Sequence, residues 1–149
     1  MIRPMTIRDV PALIALGADM HKESRYAHLD FDSNKLLDLA NAVLANPDTY
    51  LALVCEVEGV QVGFCAAYVV SHFFGHDLTS GDFAVYVLPE HRKGMAGVKL
   101  IKGYLEWCES KGVKEPLLGV SAGIMPERIG KLYERMGFTE KYVIYKKPC

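Results

Sequence analysis

The chain has 149 residues, half of them apolar and 23% charged, which is length enough for a sizeable core within the soluble globular range. Seventeen basic against eighteen acidic residues give a formal charge of −1, without the basic excess of a nucleic-acid binder. The longest apolar run, Gly63–Val70, is far too short to span a bilayer, and residues 1–10 lack the apolar core of a signal peptide.

In chain order, Ile2–Ile7 alternates and predicts a short strand. Asp9 then caps a helix with Pro11 in its first turn, where a missing N–H costs nothing. Leu13, Ile14, Leu16 and Met20 form its apolar stripe, and it frays between His21 and Asp32. Asp32 or Ser33 caps a second helix carrying Leu36, Leu37, Ala40, Val43 and Leu44, which Asn46-Pro47 stops. Thr49–Val57 and Val60–Phe74 flank Glu58-Gly59 and read as an antiparallel hairpin. A loop over Gly75–Gly81 leads to a strand, Asp82–Leu88, ended by Pro89.

From Met95 to Lys111 the apolar positions Val98, Ile101, Tyr104, Leu105 and Cys108 keep a helical period, with Gly112 as C-cap. Leu117–Ala122 predicts a fifth strand. Pro126 opens a last helix whose inward face is Ile129, Leu132, Tyr133 and Met136, and Thr139–Lys147 predicts a terminal strand. The expected fold is one mixed α/β domain over residues 1–149, ordered β-α-α-β-β-β-α-β-α-β. Its mixed sheet has about six strands and helices on both faces, and the fourth and fifth strands run parallel.

Cys55, Cys65, Cys108 and Cys149 lack CxxC spacing and read as reduced, packed thiols of a cytoplasmic protein. His72 and His76 are four apart, but at a strand end and loop and with no third ligand in view. No metal site is expected.

The chemistry concentrates in VLPEHRKGMAGVKLI, residues 87–101. A helix whose first turn is loop-like and glycine-rich presents unpaired N–H groups at its positive dipole end. Arg92 and Lys93 add full charges there, and Gly94 and Gly97 allow close approach to the backbone. Such a stretch can seat a pyrophosphate, or it can be a plain turn with solvated cations. It is neither a Walker loop nor a dinucleotide fingerprint.

The segment PEHRKGMAGVKLI resembles the acyl-CoA signature R-x-x-G-x-G/A of the GNAT superfamily of N-acetyltransferases, and KLYERMGF resembles that family's second motif. The element order fits along nearly the whole chain. The resemblance implies an acetyl-CoA-dependent N-acetyltransferase. Arg92 matches the leading basic residue and Gly97 the last small one, so the backbone of Lys93, Gly94, Met95, Ala96, Gly97 and Val98 is expected to cradle the pyrophosphate. Val85, Tyr86 and Val87 fall where the family's fourth strand bulges and hydrogen-bonds the pantetheine arm, with Ser121 and Ala122 across the slot. Tyr133 falls on the family's usual general acid. Met95 replaces a frequent glycine, and Pro126 an asparagine that commonly contacts the arm.

Acetyl transfer to an amine needs no covalent enzyme intermediate, because proximity can supply about 7 to 11 kcal/mol of the barrier. Proton transfers remain, and Asp82 at the start of the fourth strand is the candidate base. By the resemblance, residues 21–32 wall the acceptor site. There Glu23, Tyr26, His28, Asp30 and Phe31 mix acidic and aromatic groups suited to a cationic amine of a small molecule or peptide. The alternatives are a catalytically silent CoA-binding sensor or regulatory module, and an anion-binding interaction domain without CoA. One terminal strand leaves an exposed edge, which a homodimer would cover.

Overall fold

The computed structural model describes residues 1–120 and 122–149. Strand β1 (Ile2–Pro4) is followed by helices α1 (Val10–Glu23) and α2 (Ser33–Ala45) and strands β2 (Tyr50–Val57), β3 (Val60–Ser71) and β4 (Leu78–Val87). Helix α3 (Ala96–Ser110), strand β5 (Glu115–Pro116) and helix α4 (Pro126–Arg135) complete the order. The strands lie side by side in sequence order, antiparallel from β1 to β4 and parallel between β4 and β5.

Alternation along the strands feeds two layers. Leu53, Cys55, Cys65, Ala67 and Val87 pack under α3 against Leu100, Tyr104 and Cys108. Val54 packs the opposite way, under Val10 and Val43 of α1 and α2, and Phe64 and Tyr86 pack on Leu16. Each buried Leu, Val or Phe side chain contributes about 1.5–3 kcal/mol. Helices on both faces of a mixed sheet are therefore observed as expected. The hairpin turn is also as expected, with Glu58 and Gly59 at φ 50° and 78°.

Three strands differ from expectation. β4 begins at Leu78, inside the expected loop over Gly75–Gly81, because Leu78–Gly81 pair with Tyr68–Ser71 of the long β3, and Asp82 therefore sits within the strand and not at its start. Leu117–Ala122 was expected to pair as β5, yet the ladder to β4 covers only Thr79 with Glu115 and Ser80 with Pro116, and one further bond runs from the Leu117 N–H to the Ser80 carbonyl. Beyond it, side chains take over the backbone groups: Tyr104 donates to the Leu117 carbonyl (2.7 Å), and the Gly119 N–H donates to Asp82 (2.9 Å). Thr139–Lys147 was expected as a sixth strand but forms none. With β5 so short there is little edge to extend. Tyr142, Val143, Ile144 and Tyr145 stay exposed, and the Tyr142 hydroxyl donates to Glu115 (2.6 Å). The sheet has five strands.

Asp9 is also placed differently. Its buried carboxylate accepts from the Thr6 N–H (2.8 Å), from both Arg3 Nη atoms (2.7 and 2.8 Å) and from Gln61 (2.9 Å), and it does not cap α1. The Arg3 fork outcompetes the helix amides because its bonds are charge-assisted. Asp32 does cap α2, through the Asn34 N–H.

Candidate active site

The pairing of β4 with β3 slips between Ala66 and Ala67, so Phe83 is bulged between Asp82 and Ala84. The bulge shifts the alternation, which puts Ser80, Asp82, Val85 and Val87 all on the α3 face. Since the β4–β5 ladder ends at Ser80, residues 85–87 bond β3 on one side and have no strand partner on the other among the described residues.

A cleft of about 160 Å³ opens there, floored by Val85 and Val87 and walled by Gly94, Gly97, Val98 and Ile101 on one side. Ile124, Met125, Ile129, Leu132 and Tyr133 wall the other, and Arg92, Arg128 and Arg135 also border it. In a chain of net charge −1, Arg128 and Arg135 give the cleft a local anion-attracting field, whereas the charge of Arg92 is offset by a carboxylate. The first bond of α3 runs from the Lys99 N–H to the Met95 carbonyl (2.9 Å). The amides of Ala96, Gly97 and Val98 therefore have no acceptor within the helix. A Cβ on Gly97 would meet only Leu132, at an ordinary 3.6 Å. Packing inside the chain does not demand glycine there, whereas a group seated on the amides would.

Next to the wall residue Tyr133, Gly119 is held on both sides. Its N–H donates to Asp82, and its carbonyl accepts from the Tyr133 hydroxyl (2.9 Å). Burial pushes the Asp82 carboxyl above its ordinary range, opposed by the Gly119 N–H. Burial also pushes the Tyr133 hydroxyl well up, with the charge of Asp82 adding to it, so it stays protonated at neutral pH. Behind them lies a buried polar chain in which Ser80 Oγ is 2.7 Å from the Tyr104 hydroxyl and 3.2 Å from Cys108 Sγ.

Arg92 does not extend free into the cleft. Its Nε donates to the Val87 carbonyl (2.7 Å), and Nη1 and Nη2 fork onto the Glu23 carboxylate at 2.5 and 2.7 Å. The Tyr86 hydroxyl also donates to Glu23 (2.9 Å), and the guanidinium lies 5.3 Å from the Tyr86 ring centre. The Arg92 bonds hold the Glu23 carboxyl below its ordinary range, while burial together with Glu23 pushes the Tyr86 hydroxyl up to about 12.

The structure thus brings Val85, Val87, Arg92, Gly94, Gly97, Val98 and Tyr133 to one cleft, with Asp82 linked to Tyr133 through Gly119. Lys93 and Met95 are exposed and Ala96 packs against the α3 core. Tyr86 turns its side chain to the α1 face. Ser121 lies outside the described residues, and the Ala122 carbonyl accepts from the Arg25 N–H (2.9 Å). Of the acceptor-wall residues, Glu23 reaches the cleft's edge through Arg92. Tyr26 instead lies under Arg25 (4.4 Å to the ring centre), His28 Nδ1 donates to the Arg25 carbonyl (2.9 Å), and Phe31 packs 5.4 Å from the His21 ring. None of these three is among the cleft walls.

Ile124, Met125 and Arg128 are wall residues that sequence reasoning missed. Arg128 was findable, since it precedes Leu132 by one helical turn and so shares its face. It also donates to the Arg92 carbonyl (2.8 Å), tying α4 to the loop before α3. No group of three potential metal ligands occurs among the described residues. No helix among them is long and apolar enough to cross a membrane.

A split parallel strand pair beside a glycine-rich helix start is the arrangement the sequence motifs implied. The family model described as "Acetyltransferase (GNAT) domain" matches residues 48–140, and the chain belongs to that family. No curated protein sequence matches significantly. Among solved structures, the chain is similar to AAC(6')-Iy in complex with the bisubstrate analog CoA-S-monomethyl-acetylneamine (21% identity, TM-score 0.76, covering 100% of this chain and 98% of that one). It is also similar to a ribosomal-protein-alanine N-acetyltransferase from Brucella melitensis biovar Abortus 2308 (21%, 0.73, 100% and 98%). A third is glucosamine-6-phosphate N-acetyltransferase from Arabidopsis thaliana (18%, 0.77, 99% and 97%). At these identities the likeness establishes the fold.

Proposed function

We propose that this chain transfers the acetyl group of acetyl-CoA to a primary amine of a small molecule or protein, by direct attack in a ternary complex. The observation that carries this reading is the cleft itself: an open β4 edge, free α3 amides and three arginines meet at one place. These residues suit a thin polar arm ending in a pyrophosphate. The backbone of residues 85–87 would hold the arm, and the amides of Ala96–Val98 the phosphates. The cleft is too small to enclose a whole CoA, so the nucleotide end would lie outside it.

Acetyl-CoA supplies an activated acetyl thioester. Asp82, its carboxyl raised by burial, would accept the proton that the acceptor ammonium must lose. Tyr133, held protonated, would donate its proton to the departing sulfur after leaving the Gly119 carbonyl. The solved structures that this chain resembles are named for aminoglycoside, glucosamine-6-phosphate and ribosomal-protein substrates, which supports an amine acceptor without choosing among them.

One observation favours a second reading, a silent CoA-binding sensor: Asp82 and Tyr133 are both bonded to Gly119. Incubation with acetyl-CoA and a panel of amines, polyamines, aminoglycosides and peptide N-termini separates the two. Free thiol released together with an N-acetylated product supports the enzyme. Tight binding without release supports the sensor. As part of the same proposal, residues 1–149 form one acetyltransferase domain. Four free thiols, three of them buried, support a reducing compartment such as the cytoplasm, and exposed Tyr142–Tyr145 supports a homodimer.

A further inference from the structure

The node formed by Glu23, Arg92 and Tyr86 joins the end of α1 to the border of the cleft. Glu23 ends α1, beside the connection to α2, whereas Arg92 borders the cleft just before α3. Their side chains are 31% and 15% exposed, so the pair is accessible to an incoming ligand yet partly shielded from water.

The donor inventory of Arg92 is nearly spent. Nε is on the Val87 carbonyl, both Nη atoms are on Glu23, and Nη1 also lies 3.8 Å from Met125 Sδ. A planar fork of this kind binds one carboxylate or one phosphate in bidentate fashion. It does not bind both with the same pair of N–H groups. Any anion that uses the Arg92 fork at this cleft must therefore displace Glu23. Glu23 would not be left unsatisfied, because the Tyr86 hydroxyl still donates to it.

We propose that Arg92 and Glu23 form an exchangeable latch: the cofactor's pyrophosphate takes the Arg92 fork and frees the Glu23 carboxylate for the acceptor's ammonium group. This rests on the cofactor reading above and adds coupling between the two subsites. In the resting chain the acceptor wall is neutralised by its own arginine, so a cationic amine has little to gain there. Once the pyrophosphate occupies the fork, the wall regains a carboxylate. Glu23 is then a positioning residue that makes amine binding depend on the cofactor. By reciprocity, it also weakens cofactor binding when no amine is present.

The opposite explanation is a fixed strut that merely holds Arg92 in place, and it predicts the opposite sign. Full-length wild type, Glu23→Gln and Glu23→Asp are titrated calorimetrically with acetyl-CoA, and with ADP as a probe carrying the pyrophosphate alone. Thermal melts are run alongside. Glutamine removes the competing charge, and aspartate draws it back by one methylene, so either variant reports if the other fails to fold. The latch predicts tighter binding of both ligands by the variants, about 5-fold or more for Glu23→Gln. Unchanged or weaker binding by folded variants overturns the latch and leaves a strut. If neither wild type nor variants bind acetyl-CoA, the cofactor reading itself fails and the latch fails with it.

Discussion

Replacing Tyr133 with phenylalanine deletes one hydroxyl and keeps the ring, which lies 5.7 Å from the Phe138 ring and lines the cleft. The hydroxyl makes one bond, 2.9 Å to the Gly119 carbonyl, whose residue is also held by Asp82. Losing a single neutral hydrogen bond costs about 0.5–1.5 kcal/mol, and Tm should fall by about 1–6 °C for a chain of this length. Acetyl-CoA should still bind, because the backbone amides and the β4 edge are untouched. If the phenol protonates the departing sulfur, single-turnover transfer to an identified amine should fall by about 10²- to 10⁴-fold. Single-turnover measurement keeps product release from masking the chemical step. A folded variant with undiminished transfer refutes the general-acid role and leaves Tyr133 as a clasp on Gly119.

Asp82→Asn keeps an acceptor for the Gly119 N–H but removes the proton acceptor. Wild-type kcat/KM should fall on acidification through a raised carboxyl pKa, and pH–rate profiles should show that limb missing in a slow variant. Away from the site, Asp9→Asn breaks the part-buried ion pair with Arg3 and should lower the urea midpoint at neutral pH. Arg3 holds the Asp9 carboxyl below its ordinary range, so the folded state binds fewer protons at Asp9 than the unfolded one. Its stabilisation is present above about pH 4 and drains away as pH falls below that; a variant with wild-type stability, or the same acid sensitivity, counts against the assignment.

The hydrophobic periods of α1, α2 and α3 and the turn at Glu58-Gly59 were legible, because one face of each element meets one layer and nothing competes. The strand over Leu117–Ala122 was not. Local composition favours a strand there, but Asp82, Tyr104 and Tyr133 satisfy its backbone groups from elements far away in sequence. The same long-range competition moved Asp9 from helix cap to ion pair, since Arg3 and Gln61 reach it only once β1, β2 and β3 have assembled. In the site, the glycines and cations before α3 were visible as a motif, and Tyr133 as a position on a helix face. The pairing of Arg92 with Glu23 was not, because charge complementarity across 69 residues leaves no periodic trace.

The most direct measurement is a calorimetric titration of acetyl-CoA into wild type and Gly97→Glu. A Cβ at Gly97 meets only Leu132 at an ordinary contact distance, so the variant should fold, and its carboxylate would compete with the phosphates expected on the neighbouring amides. The account predicts one acetyl-CoA bound per wild-type chain and none by the variant, with both proteins melting cooperatively. No binding by wild type, or equal binding by both, would contradict it.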